Sequence, residues 1–283
     1  MLRSSNPILT RQQAFAPAEP RGYNQGYSQG GLGQPGQQFP GYQPGQAPYG
    51  MPPQEPTKAE GRMTMDDVIL KTAILFAVMM VTGAATFFLL PPSLLYPVII
   101  ISALAGFVTS FVVAMRRKVS PALVIPFAIL EGFFVGGMSR IFEVYYPGIV
   151  AQAVFGTFLA AAATFAAYKF LRVRVTGRLA KVVIIATLGF AAAALLQFVV
   201  GFAGINLGIY AGMTGEVGPL AWGFVLLGLV LAAFSLIMDF QVIEEGVQRG
   251  APASESWRAS FGLLVTMVWL YIQILRLLSY IRR

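Results

Sequence analysis

Residues 219–243 read PLAWGFVLLGLVLAAFSLIMDFQVI, with Asp239 the one charged residue. The run exceeds the roughly 20 residues that an α-helix needs to cross a hydrocarbon core. Its apolar residues do not alternate, as the strands of about 10 residues in a membrane barrel would. Six comparable runs appear on working outward from it, near 68–90, 95–115, 121–142, 149–171, 180–203 and 258–281. The expected fold is an all-α membrane protein with seven transmembrane helices.

Composition agrees with lipid as the main solvent. Apolar residues make up 56% of the 283 and charged residues only 11%, against about 25% charged in a soluble domain. Cys and His are both absent, which excludes disulfides, thiolate or His-ligated metal sites, Ser-His-Asp hydrolysis and any His-based pH switch. No enzymatic activity and no resident cofactor are expected. The formal charge of +8 reads as cytoplasmic loops of a membrane protein rather than as nucleic-acid binding. The expected surroundings are a lipid bilayer.

Residues 1–63 differ from the rest. They are rich in Gly, Pro and Gln, with Tyr23, Tyr27, Tyr42 and Tyr49 spaced among them. Such a segment buries too little apolar surface to offset chain entropy, so a disordered tail is expected. No apolar stretch follows Arg3 as a signal peptide would require. The tail is either a solvated extension or an adhesive segment that reaches a membrane protein partner. The seven-helix domain is expected over 64–283. Thr64 followed by Asp67 fits a helix-capping box, Pro91 and Pro92 stop the first helix, and Ser120 with Pro121 starts the third. Pro126 is expected to free a carbonyl there. Gly132, Gly136 and the run Ala160 to Ala163 read as packing devices for close helix approach.

Loop charge orients the chain. Arg116, Arg117 and Lys118 follow the second run, Lys169 to Lys181 the fourth, and Arg249 and Arg258 the sixth. The positive-inside rule then puts the N-terminal tail in the cytoplasm. Seven full crossings place Arg282 and Arg283 outside, against the rule, yet a full last crossing is the expectation.

Ionisable groups inside spans need a reason, since an Asp at a helix centre costs roughly 3 kcal/mol on insertion scales. Glu131, Asp239 and Arg276 stand out, joined by polar Gln197 and Gln273. Glu131 and Asp239 are either structural partners of an Arg or members of an ion or proton pathway. Arg276 is expected to snorkel, Gln197 to bond between helices, and Glu244 and Glu245 to end a helix in solvent. Carboxylates and amide carbonyls are hard oxygen donors that suit calcium, with Asp239 as the metal contact. One Asp and one Gln make a weak site, suited to transient calcium passage. A carboxylate held between burial and a nearby Arg can also couple its protonation to opening a path.

Three stretches, Leu130-Glu131-Gly132-Phe133-Phe134-Val135-Gly136, Ile237-Met238-Asp239-Phe240-Gln241 and Leu270-Tyr271-Ile272-Gln273-Ile274-Leu275, taken in order across seven runs, resemble the Bax inhibitor-1 family in its bacterial YccA/YetJ-like branch. The resemblance covers about residues 64–283, and Arg3 to Pro7 look like the start of members with Gly/Tyr/Gln-rich tails. It implies a bacterial inner-membrane protein with six helices around the last, leaking calcium in a pH-sensitive way. It implies two aspartates on the last two helices as pH sensor, with Asp239 as the first. Arg116, or the adjacent Arg117, is implied as a latch. Gln273 falls where the second aspartate is expected, and Gln cannot titrate. Counted from the Arg249–Trp257 turn, Asp239 is about ten residues deep and Gln273 about sixteen, so at 1.5 Å per residue they need not be level. The leading expectation is a calcium or other cation leak with Asp239, Gln273 and Glu131 on its pathway. The alternative is a non-conducting regulator of a membrane protease or other membrane protein. An intramembrane two-Asp protease is disfavoured, because a single intramembrane Asp is found.

Overall fold

The computed structural model describes residues 61–213 and 216–283. Within them seven helices follow one another: α1 Met65–Leu89, α2 Pro92–Met115, α3 Pro121–Tyr145, α4 Ile149–Lys169, α5 Gly177–Gly201, α6 Pro219–Gln248 and α7 Glu255–Ile281. All seven are long and apolar enough to cross a membrane. The strand-based alternative is set aside: the described residues hold only an isolated bridge between Arg62 and Pro252.

Local chemistry sets the helix ends. Thr64 accepts a hydrogen bond from the Asp67 amide at 3.1 Å, as its capping position predicts. Pro91 separates α1 from α2 and lacks the amide that would continue the first helix. Ser120 stands at the expected N-cap of α3, but its hydroxyl makes no capping bond, so Pro121 alone marks that start. The chain stays helical through Pro126. At the start of α4, Glu143 reaches over from α3 and accepts the Val150 amide at 3.0 Å, doing what a local cap residue would.

Small residues decide how closely the helices meet. A Cβ on Gly136 would collide with the backbone of Gly83, and one on Gly132 with the side chain of Thr82. On the next face of α3, a Cβ on Gly137 would lie 2.5 Å from Ile99 of α2. The α3 glycines thus bring α1 and α2 against α3 almost backbone to backbone, the close approach that membrane helices use in place of hydrophobic drive. Of the alanine run, Ala160 and Ala161 pack toward the core, while Ala162 and Ala163 are exposed.

Helix α7 is the axis of the bundle and its most buried member. Helices α1, α3, α4 and α6 pack on it directly. Helix α2 backs onto α3, and α5 backs onto α6 while sending Phe190 to Trp269 of α7. At one end of α7, Arg258 donates to the carbonyls of Arg116 and Arg117 at 2.8 and 2.9 Å. At the other, Arg282 donates to the carbonyl of Pro147 at 2.8 Å. The last helix therefore runs the full thickness of the bundle, as expected.

Residues 1–60 of the tail lie outside the described residues. Residues 61–63 are already held: the Met63 amide donates to Ala251, the Ala253 amide donates to Gly61, both at 2.7 Å, and the Met63 side chain is buried. A short extended pairing with the α6–α7 turn fixes the chain just before α1.

Candidate functional site

Helix α6 turns a row of small and polar residues toward α7. Gly228, Ala232, Ser235 and Asp239 recur every three or four positions, the spacing of one helical face. Asp239 sits opposite Gly262 of α7, whose missing Cβ would lie 3.7 Å from Asp239 Oδ1. The hydroxyl of Thr266, one turn further along α7, is beside the same carboxylate. The second oxygen, Oδ2, is buried and has no hydrogen-bond partner among the described residues.

Gln273 is on this seam too, but not beside Asp239. It is 2% exposed and lies against Gly228, where a Cβ would meet its amide at 2.7 Å. Gly228 and Asp239 are three turns apart on α6, roughly 16 Å along the axis. The implied face-to-face placing of positions 239 and 273 does not occur. The amide oxygen of Gln273 is likewise buried without a partner.

The other expected residues are placed elsewhere. Glu131 is half-buried on α3 and points into the contact with α2, with Oε1 3.5 Å from where a Cβ on Gly106 would be. Arg116 and Arg117 are exposed at the end of α2, and neither forms an ion pair with Asp239. What the structure engages at that turn is their carbonyls, held by Arg258, which also pairs with Glu255 at 2.8 Å. Arg276 does not reach free into solvent. Its guanidinium lies 3.6 Å from the ring centre of Tyr210, in the α5–α6 loop.

Two polar expectations need correction. Gln197 does not bond between helices; its oxygen accepts the Leu207 amide at 3.0 Å and ties the α5–α6 loop to its own helix. Glu244 is not a solvated helix end. It receives the Tyr168 hydroxyl and pairs with Arg174 at 3.1 Å, and Arg174 lies over the Tyr168 ring. One turn inward, buried Gln241 accepts the Val175 amide at 2.9 Å. The basic loop between α4 and α5 is thus strapped onto α6 next to Asp239. Glu245 behaves as expected, exposed and paired with Arg249.

Reasoning from sequence missed Gly262, Thr266 and Arg258. The first two carried a usable signal, since Gly262, Thr266 and Gln273 fall on one face of α7 and mirror the small face of α6. Arg258 carried none, because its partners are carbonyls more than a hundred residues away.

The chain matches the Bax inhibitor 1 like family over residues 6–283. It belongs to that family. No match was found among curated proteins. As a Bax inhibitor 1 like protein with seven apolar helices, it meets lipid over the outer faces of the bundle, where Phe88, Phe155 and Ile185 are largely exposed. The three stretches that carried the resemblance fall on α3, α6 and α7, the helices that pack in and around the bundle axis. Among the described residues no three or more acidic, His or Cys side chains gather to hold a metal. A cation at Asp239 would therefore meet one carboxylate, helped by the Thr266 hydroxyl and backbone or amide oxygens. That donor set fits brief contact with a hard cation rather than storage.

Proposed function

We propose that this Bax inhibitor 1 like protein is a pH-sensitive leak for calcium or a similar cation, running along the seam between α6 and α7, with Asp239 as ion contact and proton acceptor. The observation that carries the reading is the buried, unpartnered Oδ2 of Asp239. A buried acceptor left unpaired is costly and calls for a donor or a cation. A proton and a cation compete for that one oxygen. Protonation neutralises the contact, so acidification weakens cation binding at Asp239. Arg116 acts as a latch in this reading only by swinging inward from the exposed end of α2. The protein sits in a bacterial inner membrane with the tail and the basic loops inside, by the positive-inside rule.

The test is calcium flux into liposomes carrying the purified full chain, across a pH series, with Asp239→Asn beside wild type. Flux that responds to pH in wild type and loses that response in Asp239→Asn supports the reading. Equal flux and equal pH response in the two proteins overturns it and favours a non-conducting regulator of another membrane protein. Unchanged flux in Arg116→Gln removes the latch alone.

A further inference from the structure

Three unpartnered buried atoms among the described residues are hydroxyl oxygens, of Thr72, Thr187 and Ser256; the other two, Asp239 Oδ2 and Gln273 Oε1, are the acceptors without a proton to give. Both lie on the α6–α7 seam. From the basic end outward the seam presents Asp239 with Gly262 and Thr266, then Trp269, then Gln273 with Gly228, then Arg276 on Tyr210. Two levels of oxygen ligands are therefore separated by one aromatic level.

A helix outside the pair adds a second ring, at the level of Gln273. Phe190 of α5 meets Trp269 at 5.5 Å between ring centres and stacks on Phe224 of α6 at 4.1 Å with planes 13° apart. Its Cζ would touch a Cβ on Gly228, at 2.7 Å. The ring is buried, and it fills the notch that Gly228 leaves beside Gln273. Val183 and Phe190 are the buried residues of α5, which packs chiefly on α6. Little packing holds the helix that carries the plug.

We infer that Phe190, with Trp269, is a hydrophobic gate that closes the seam at the level of Gln273, beyond the Asp239 contact, and that an outward shift of α5 opens the path past it. The inference rests on the leak reading above. An apolar constriction blocks an ion because the ion cannot carry its water through it. Withdrawing the Phe190 ring opens the Gly228 notch, and the Gln273 amide oxygen at the same level then replaces part of the lost hydration. The occupant is a small hard cation that accepts single oxygen ligands in turn. Arg276 at the outer mouth is drawn aside onto Tyr210, which leaves its charge near the route but out of its line.

The experiment is calcium flux in liposomes for wild type, Phe190→Ala, Phe190→Trp, Phe190→Ala with Gln273→Leu, and Asp239→Asn, with the melting temperature of each measured. Phe190→Ala should raise flux about tenfold, the factor that about 1.4 kcal/mol off a barrier gives. Phe190→Trp should stay at or below wild type. Gln273→Leu should cancel most of the gain. If Phe190→Ala loses its melting transition, Phe190→Leu, too short to span Gly228 and Trp269, carries the same expectation. Wild-type flux in a stable Phe190→Ala or Phe190→Leu protein, with Asp239→Asn still altering flux, overturns the gate and leaves the leak standing. Flux no greater than that of protein-free vesicles from wild type and gate variants alike overturns both.

Discussion

Gln273 packs against Gly228, not against Asp239. Asp239 and Gln273 are on neighbouring helices and still about three turns apart. A carboxylate placed at 273 would therefore not share a proton with Asp239. Coupled titration needs sites close enough to feel each other. Gln273→Asp should therefore change flux at a fixed high pH by the same factor in the wild-type and Asp239→Asn backgrounds, as expected of sites more than 7–10 Å apart. A strongly non-additive effect on flux would show that the helices slide to bring the positions level.

Gly136 meets the backbone of Gly83, which cannot move aside as a flexible side chain can. Gly136→Ala should destabilise the folded protein by about 1–3 kcal/mol, the usual cost of overpacking. Gly189 on α5 has nothing within 4 Å of its absent Cβ. Gly189→Ala should leave stability unchanged or raise it by about 0.5–1 kcal/mol through helix propensity. Thermal unfolding in detergent separates the two, and equal melting temperatures would contradict the α1–α3 contact.

The α4–α5 loop is strapped down by Gln241 and Glu244. Gln241→Leu leaves the buried Val175 amide unsatisfied, at a cost of about 1–3 kcal/mol. The loop carries Arg172 and Arg174, both trypsin sites. Trypsin should cut there faster in Gln241→Leu than in wild type, while Glu245→Gln, at an exposed pair, should not change the rate. Equal cutting of all three would mean the strap does not hold the loop.

Orientation is open to a clean labelling test, because no native Cys is present. Thr176→Cys should be shielded in intact cells from an impermeant thiol reagent and react after lysis. Pro147→Cys, at the opposite end of the bundle, should react from outside. The reverse pattern would invert the topology.

Much of the fold was legible in the residues. Seven spans, the prolines between α1 and α2, the Thr64 cap and the α3 glycines depend on local sums: apolar length, a missing amide, a hydroxyl in reach, an absent Cβ. Full crossing by α7 against its terminal arginines was legible for the same reason, since apolar length outweighs two charges at an end. Asp239 could be singled out because a charge in an apolar run stands alone.

Facing was not legible. In a soluble helix the polar side reports solvent, but a helix in lipid is apolar all round and loses that signal. Each added residue turns a helix by about 100° and advances it 1.5 Å. The long α6–α7 turn, pinned by Met63 and Lys71 from α1's end of the chain, therefore decided that Asp239 meets Gly262 while Gln273 meets Gly228. The same holds for Glu131 turning to α2, for Arg258 taking the carbonyls of Arg116 and Arg117, and for Phe190 entering the seam from a third helix. Sequence determined what spans the membrane and which groups were anomalous there. Tertiary packing alone decided which of those groups meet, because depth and rotation are set by contacts between helices and not by any one helix.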